Sequence, residues 1–320
     1  MQNSVYDART AGKGNFGDLP EWDLTDLYPS PDSTEITRDL DWLSKECAAF
    51  AVDYQGKLAD LDAAGLLKAV QRYEQIDVTA GRIMSYAGLR YYQITTDSSR
   101  AKFMADCQDK ITRFTTPLVF YGLEFNRLDD KHLAELLAAN ADLARYKPVF
   151  DRMRAMKPHQ LSDELEQFLH DQSTVGAAAW NRLFDETMAG LEFVVDSDVL
   201  GLEETLNMLT DQDRTKREAA THALTAVFAE NLKTFARIHN TLAKEKEIED
   251  RWRKMPSQQA ARHLANHVEP EVVEALRNAV VAAYPRLSHR YYALKANGWG
   301  WTGCKSGTAM RLCPWNRPEL

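Results

Sequence analysis

The chain has 320 residues, of which 44% are hydrophobic and 27% charged, a balance typical of a soluble globular protein with room for two or three lobes. Its net charge of −8 argues against non-specific binding of nucleic acid, which requires a basic face. No apolar run approaches the roughly 20 residues that span a bilayer, so we expect no membrane partner.

The N-terminal residues and the cysteines bear on where the protein resides. Residues 1–18 lack the apolar core of a signal peptide and predict a flexible lead-in. The four cysteines show neither close pairing nor the spacing of a zinc ribbon; they are Cys47, Cys107, Cys304 and Cys313. A reducing compartment is the simplest interpretation, so we expect a cytoplasmic protein.

Residues 19–128 predict an N-terminal lobe of helical hairpins. An apolar, extended or turn-rich segment, 19–29, comes first and is expected to lie on a core. Apolar residues then recur every three or four positions, which places them on one face of a helix, in the stretches 36–54, 62–92 and 97–125. Polar residues that suit N-caps precede the first and third of these stretches, and Pro117 is expected to kink or divide the third. The short links between them indicate antiparallel packing.

Residues 129–296 predict a second helical region that contains one β-hairpin. Shorter amphipathic stretches come first, at 129–139, at 148–157, from Ser162 onward and at 176–188. Alternation between 191 and 202, interrupted by a turn, predicts the hairpin. A long central helix is expected at 212–254, and a last helical pair at 268–294. The predicted fold class is all-α, with long antiparallel helices and one small hairpin.

The last turns of the predicted central helix are strongly charged. Nine of the eleven residues from Lys244 to Lys254 carry a charge. Opposite charges four residues apart are typical of a solvent-exposed helix face, and a surface that meets a partner is the alternative interpretation.

Only one pair of histidines has the spacing of metal ligands. His263 and His267 are four residues apart, and two such histidines can share one helix face and bind zinc. In a zinc protease the residue after the first histidine is a glutamate that acts as general base, but Leu264 stands there in this chain. No third ligand is evident, so we interpret both as surface histidines.

Three further groups have both a chemical and a structural interpretation. Asp23 and Asp26 suit acid–base work as a pair of carboxylates, but turns and caps are the commoner place for such residues. Trp180 and the pair Tyr91–Tyr92 suit stacking platforms, but aromatic residues pack in cores more often. The residues alone indicate no active site, since the chain also lacks a glycine-rich phosphate loop, a nucleophile elbow and a CxxC motif.

Four segments, taken together and in order, carry a resemblance to a known family. They are Trp22–Tyr28; 159–166 followed by 180–184; Asp213–Arg214 with Arg217, Ala220, Leu224 and Phe228; and His289–Ala296. Over roughly 19–296 the chain resembles the oligoendopeptidase F family, zinc metallopeptidases that are similar in fold to thimet oligopeptidase.

The resemblance implies a fold and a chemistry. Such an enzyme is almost entirely helical, and its two lobes enclose a deep channel that admits only short peptides. Zinc is held in the C-terminal half by a His-Glu-x-x-His motif on one helix and a glutamate on the next. The zinc polarises a water molecule, and the glutamate of the motif takes its proton.

The present chain lacks that motif, and therefore resembles only the N-terminal half of the family. No catalytic residue and no metal ligand carries over to it, and its substrate-binding residues stay unassigned. We expect that it binds no zinc and is inactive alone. We also expect that exposed apolar helix faces favour self-association. The alternative is a non-catalytic helical scaffold or peptide-binding module.

Residues 297–320 do not continue the helical pattern. They contain four glycines and three tryptophans. If reading begins at the last base of the Lys305 codon, the codons permitted for Ser306–Pro314 also allow Val-Trp-Asp-Arg-Asn-Ala-Pro-Leu-Pro. That is the kind of segment that the family has after its Leu-Lys-Ala stretch. We therefore expect a shift of reading frame near Ala296–Asn297.

Overall fold

A computed structural model describes residues 22–298 of the chain. The predicted lead-in 1–18, the start of the predicted apolar segment at 19–21, and the tail from 299 onward lie outside the described residues. Within residues 22–298 the fold is all-α with one two-stranded antiparallel hairpin, as predicted. No helix in that range is long and apolar enough to cross a membrane.

The helices and strands follow one another with short connections. They are α1 (Thr34–Tyr54), α2 (Ala63–Gln93), α3 (Ser98–Thr115), α4 (Val119–Arg127), α5 (Asp130–Ala139), α6 (Ala141–Ala144), α7 (Lys147–Ala155), α8 (Asp163–Gln172), α9 (Ala177–Ala189), β1 (Phe193–Val195), β2 (Asp198–Leu200), α10 (Leu202–Met208), α11 (Arg214–Glu230), α12 (Leu232–Trp252), α13 (Ala260–Asn266), α14 (Pro270–Ala283) and α15 (Ser288–Gly298). Short 3-10 turns lie at Leu58–Asp60, Thr116–Leu118 and Lys157–His159.

Side-chain caps place many of the helix starts. Six side chains accept a backbone N–H two or three residues further on, and they belong to Ser33, Asp62, Asp97, Asp129, Asn140 and Asp213. Such a contact satisfies donors that the first helical turn leaves without an intrahelical partner. The starts of α1, α2, α3, α5, α6 and α11 are therefore fixed by local chemistry.

The largest hydrophobic core joins α1 to α4 with α5, α6 and α7. Phe50 of α1 is fully buried, and its ring lies within about 6 Å of the rings of Tyr54, Tyr73, Phe120 and Tyr121. Pro117 divides the third predicted helix as expected, since α3 ends at Thr115 and α4 begins at Val119.

A smaller core lies under the hairpin. The register pairs Phe193 with Leu200 and Val195 with Asp198. Phe193 and Val195 point to one face of the strand and pack on Ala223 and Leu224 of α11. The hairpin therefore packs against α11.

The prediction of one continuous helix over 212–254 is wrong. α11 ends at Glu230 and α12 begins at Leu232, with Asn231 between them at φ −90° and ψ 2°. The side-chain Nδ2 of Asn231 donates to the carbonyl oxygen of Val227 at 2.9 Å. An amide side chain that bonds the preceding turn competes with the helical backbone pattern, so asparagine breaks a helix that contains neither glycine nor proline.

The N-terminal apolar segment lies only partly on the core. Tyr28 is fully buried, and its hydroxyl donates to Oδ2 of Asp39 at 2.8 Å. Leu24 and Leu27 are partly buried against the same core. Trp22 is 91% exposed, so the expectation that it packs on the core is wrong.

The last two helices present apolar side chains to solvent. α14 contains no buried residue, and Val272, Leu276 and Val280 follow one another at helical spacing with 43–66% exposure. Leu287 in the turn after α14 and Tyr291 on α15 are also exposed, at 60% and 47%. A run of exposed large apolar residues of this kind marks a surface suited to a partner.

Candidate functional site

The C-terminal end of α12 is tied to α8 and to the turn that precedes α8. Arg253 follows α12, and its side chain is only 12% exposed. Its Nη1 and Nη2 donate to Oε1 and Oε2 of Glu166 at 2.7 and 2.9 Å, which is a bidentate pair. Its Nε donates to Oε1 of Glu249 at 2.7 Å. The carbonyl oxygen of Arg253 also lies 2.9 Å from Nδ1 of His159. The contacts of Arg253 with His159 and Glu166 join residues about ninety positions apart in sequence.

Glu166 is the acidic centre of this junction. Burial alone raises the pKa of its carboxyl, but the hydrogen bonds from Arg253 and from the backbone N–H of Leu161 outweigh burial and leave the pKa lowered. The hydrogen bonds to Glu166 and Glu249 raise the pKa of the Arg253 guanidinium. Both Glu166 and Arg253 are therefore charged at neutral pH, and Arg253 is the charged partner of Glu166.

We predict that this ion pair is lost in acid. Because the pKa of Glu166 is lowered in the folded protein, its stabilisation is fully present above the ordinary value of 4.5 and disappears as pH falls through the folded value. The difference in the free energy of unfolding between wild type and Glu166→Gln should be constant near neutral pH and shrink below pH 4.5. Urea unfolding at a series of pH values measures this difference. Glu164→Gln, an exposed first-turn acid of α8, is the matched control, and a difference at Glu166 that is the same at every pH contradicts the prediction.

The prediction that the charged end of the central helix faces solvent is only partly correct. On its outer side Lys244 and Arg251 both pair with Glu247, at spacings of three and four residues. On the inner side Glu245 accepts the backbone N–H of Ala177 at 3.2 Å, and Arg253 is buried against Glu166. The pattern of charges indicates pairs along one helix but does not show which side turns inward.

A cavity of about 780 Å³ opens beside this junction. One wall comes from α4 and α7, and the other from the end of α12 and from α13. Apolar side chains make up much of the lining, and they include Leu123, Met153, Met156, Leu242, Met255 and Leu264. Ligand pockets commonly have about 300–1,000 Å³ and combine an apolar lining with a few placed polar groups. The cavity is therefore the candidate functional site of the described chain.

A pair of amide side chains forms part of the cavity wall. Nδ2 of Asn126 donates to Oε1 of Gln160 at 3.1 Å, and Nε2 of Gln160 donates to the carbonyl oxygen of Leu123 at 3.3 Å. Asn126 is only 6% exposed, and its Oδ1 is buried without a donor. A buried acceptor without a partner costs free energy, so this part of the wall is held at a local cost.

The two histidines with metal-like spacing do not share a helix face. His263 lies on α13, but His267 is the residue that ends α13 and adopts the left-handed conformation, with φ 53°. Its side chain therefore leaves the direction that a fourth helical residue would take. Within residues 22–298 no group of three histidine, cysteine or acidic side chains is placed to hold a metal ion. The described residues do not fit a zinc site.

Asp23 and Asp26 lie beside and within a turn at residues 25–27. Oδ1 of Asp23 accepts the N–H of Thr25 at 2.9 Å, and this contact lowers the pKa of the carboxyl, which is the turn role expected of such a residue. Of the stacking candidates, Tyr91 is buried, Tyr92 is 61% exposed and Trp180 is half-buried on α9.

The sequence patterns did not point to the residues at the junction and in the cavity wall. Glu166 and Arg253 belong to segments separated by four helices and the hairpin. Glu166 lies in the segment 159–166 that carries the family resemblance, but the resemblance gives it no role. Asn126 and Gln160 are single amides in helical and turn segments. The available signal was local: Glu249 and Arg253 stand four residues apart, which indicates their pair but not the contact with Glu166.

Comparison with known proteins gives a consistent set of matches. Residues 124–193 match the family model described as Oligopeptidase F. The chain is 25% identical over 286 residues to group B oligopeptidase PepB of Streptococcus agalactiae, which covers 86% of this chain and 46% of that protein. It is 25% identical over 284 residues to oligopeptidase PepF of Bacillus subtilis, which covers 86% of this chain and 41% of that protein.

A solved structure shares the fold. The crystal structure of oligoendopeptidase-F from Enterococcus faecium superposes with a TM-score of 0.77 at 22% identity, over 87% of this chain and 56% of that one. The all-α prediction is therefore confirmed. The chain spans about half the length of the curated relatives that it matches.

Proposed function

We propose that this chain, which is similar to the N-terminal half of oligoendopeptidase F proteins, forms the helical wall and lid of a peptide-digesting chamber and does not hydrolyse peptides alone. The observation that carries the proposal is the extent of the match. The similarity covers 86% of this chain but only 41–46% of the two relatives, and the shared fold extends over 87% of this chain.

The family resemblance implies zinc, yet the described residues offer no place for it. His263 and His267 lack the glutamate of the family motif and do not share a helix face. We therefore assign no step of hydrolysis to residues 22–298. In this proposal they shape the chamber and hold the peptide, and the chemistry belongs to residues that the chain does not supply.

We predict that the 320-residue protein shows no zinc-dependent hydrolysis of short peptides. Quenched-fluorescence peptides incubated with the protein and zinc should give no rate above buffer, whereas PepF of Bacillus subtilis serves as the positive control. A rate that a chelator abolishes and added zinc restores would overturn the proposal.

The competing function is a non-catalytic helical scaffold or peptide-binding module. The nucleotide sequence of the gene distinguishes the two functions. If the reading frame shifts after Ala296, family-like codons should follow in a neighbouring frame. Sequencing the DNA beyond codon 296 should show a His-Glu-x-x-His motif in one of the frames. A region that codes in frame, with nothing family-like beside it, favours the scaffold.

We also propose that the protein is cytoplasmic. The two described cysteines, Cys47 and Cys107, are buried free thiols, and burial raises the pKa of each to about 11. A thiol with a raised pKa is seldom a thiolate at neutral pH, so it suits a structural role in a reducing compartment.

We predict self-association through the exposed face of α14 and the turn after it. Acidic residues, Glu269 and Glu271, lie at the start of α14, whereas Arg286 and Arg290 follow it. An antiparallel second copy therefore brings opposite charges together while it covers Leu276 and Leu287. The isolated chain should form a dimer and bind a hydrophobic dye.

Paired glutamate substitutions test this face. The double variant Leu276→Glu with Leu287→Glu should weaken dimerisation at least about tenfold in sedimentation velocity, since it places charge in the apolar contact. Val52→Glu is the control, because Val52 is 76% exposed on α1, outside the proposed contact. A wild-type chain that stays monomeric at every concentration and leaves the dye unbound contradicts the prediction.

A further inference from the structure

Nearly all the charged side chains that line the 780 Å³ cavity have partners. Lys246 bonds Asp250, Glu245 accepts the N–H of Ala177, and Arg253 bonds both Glu166 and Glu249. The two bases of this set, Lys246 and Arg253, pair with acidic neighbours, and these contacts hold the walls.

Two arginines of the lining are exceptions. Arg152 lies on α7 in one wall and Arg262 lies on α13 in the other, and both are exposed. Within residues 22–298 neither guanidinium has an ion-pair or hydrogen-bond partner. A solvated guanidinium is a planar fork of N–H donors that matches a carboxylate in a bidentate arrangement. The cavity therefore has two free positive groups, one from each wall.

The rest of the lining is suited to an apolar group of variable shape. Met153, Met156 and Met255 line the cavity together with leucines. Methionine is unbranched and polarizable, so a methionine-rich surface accepts apolar groups that differ in shape. The ligand that fits is therefore an anion attached to an apolar body.

We propose that this cavity binds the C-terminal residue of a short peptide, with its carboxylate on Arg152 and Arg262 and its apolar side chain on the methionines. The choice of a peptide rests on the proposed function, whereas the site itself does not depend on hydrolysis. A fatty acid shares the carboxylate and the apolar body. It lacks the backbone amide groups of a peptide, which suit the half-buried amide side chain of Gln160 in the cavity wall, so the amide wall favours the peptide.

Calorimetric titration of the 320-residue protein tests the site with three probes. The first is acetyl-Ala-Ala-Ala-Leu with a free carboxylate, the second is the same peptide as its C-terminal amide, and the third is decanoate. We expect the free acid to bind at least about tenfold more tightly than the amide, since only the acid forms charge-assisted hydrogen bonds. A chelator is present throughout, so the binding result is separate from the test of hydrolysis.

Arginine variants assign the preference to the cavity. The double variant Arg152→Gln with Arg262→Gln should lose the preference for the free acid, because glutamine keeps polar donors but removes both charges. Arg237→Gln is the matched control, since Arg237 is exposed on α12 and does not line the cavity. Circular dichroism checks that each variant is folded.

Four results would overturn the proposal. Three of them are equal binding of acid and amide, a preference that survives the double variant, and binding of decanoate without binding of the peptide. A folded wild-type protein that binds none of the probes overturns it as well. Zinc-dependent hydrolysis by the 320-residue protein would refute the proposed function but leave the binding result standing.

Discussion

Replacing Phe50 by alanine is expected to lower the free energy of unfolding by about 3–5 kcal/mol, the range for deleting a fully buried phenylalanine ring. Phe50 is 0% exposed and lies at the centre of the aromatic cluster that joins α1 to α2 and α4. Its ring centroid lies 4.7 Å from that of Tyr54 and 5.6 Å from that of Tyr121. The substitution removes both the buried apolar area and these ring contacts, and it leaves a cavity that rigid neighbouring helices cannot close.

Urea unfolding followed by circular dichroism measures the loss. Val52→Ala on the same helix is the control, because Val52 is 76% exposed and its truncation should change the free energy by less than about 0.5 kcal/mol. A Phe50→Ala protein as stable as the control would mean that the N-terminal lobe does not have the core described for it.

Replacing Arg253 by methionine is expected to cost about 2–3 kcal/mol. The substitution leaves the carboxylate of Glu166, whose side chain is 14% exposed, without its bidentate partner. Removing one member of a fully buried ion pair costs about 3–5 kcal/mol, and the remaining exposure of this pair lowers that figure. The end of α12 then loses its tie to α8, and one side of the cavity loses its support.

A double-mutant cycle separates the pair from the packing. Arg253→Met, Glu166→Gln and the double variant should show a coupling free energy above about 1 kcal/mol, because the two groups depend on each other. Arg251→Met is the matched control, since Arg251 is 62% exposed and pairs only along its own helix, a contact worth about 0.3–0.5 kcal/mol. Effects of Arg253 and Glu166 that simply add would contradict the assignment of the junction.

The elements that the sequence predicted correctly depend on local chemistry. Apolar spacing gave α1, α2 and α3, and the caps Ser33, Asp62 and Asp97 act within three residues of themselves. Pro117 divides a helix because its ring removes a backbone donor and restricts the chain, which holds in any fold.

The features that the sequence did not predict depend on contacts between distant parts of the chain or on a single competing side chain. Asn231 breaks the central helix through one hydrogen bond to Val227, a contact that the spacing of apolar residues does not reveal. Arg253 belongs to a run of charged residues that predicts exposure to solvent. Its guanidinium nevertheless contacts the carboxylate of Glu166, which is 87 residues away in sequence. The cavity arises only where α4, α7, α12 and α13 meet, so no single segment contains its pattern.

The measurement that tests the central claim most directly is the zinc content of the purified 320-residue protein. After loading with zinc and exhaustive dialysis, mass spectrometry under native conditions should show the mass of the chain without stoichiometric metal. PepF of Bacillus subtilis, treated in the same way, provides the comparison. One zinc retained per chain, held by three protein ligands within these residues, would contradict the account of a chamber wall without its metal.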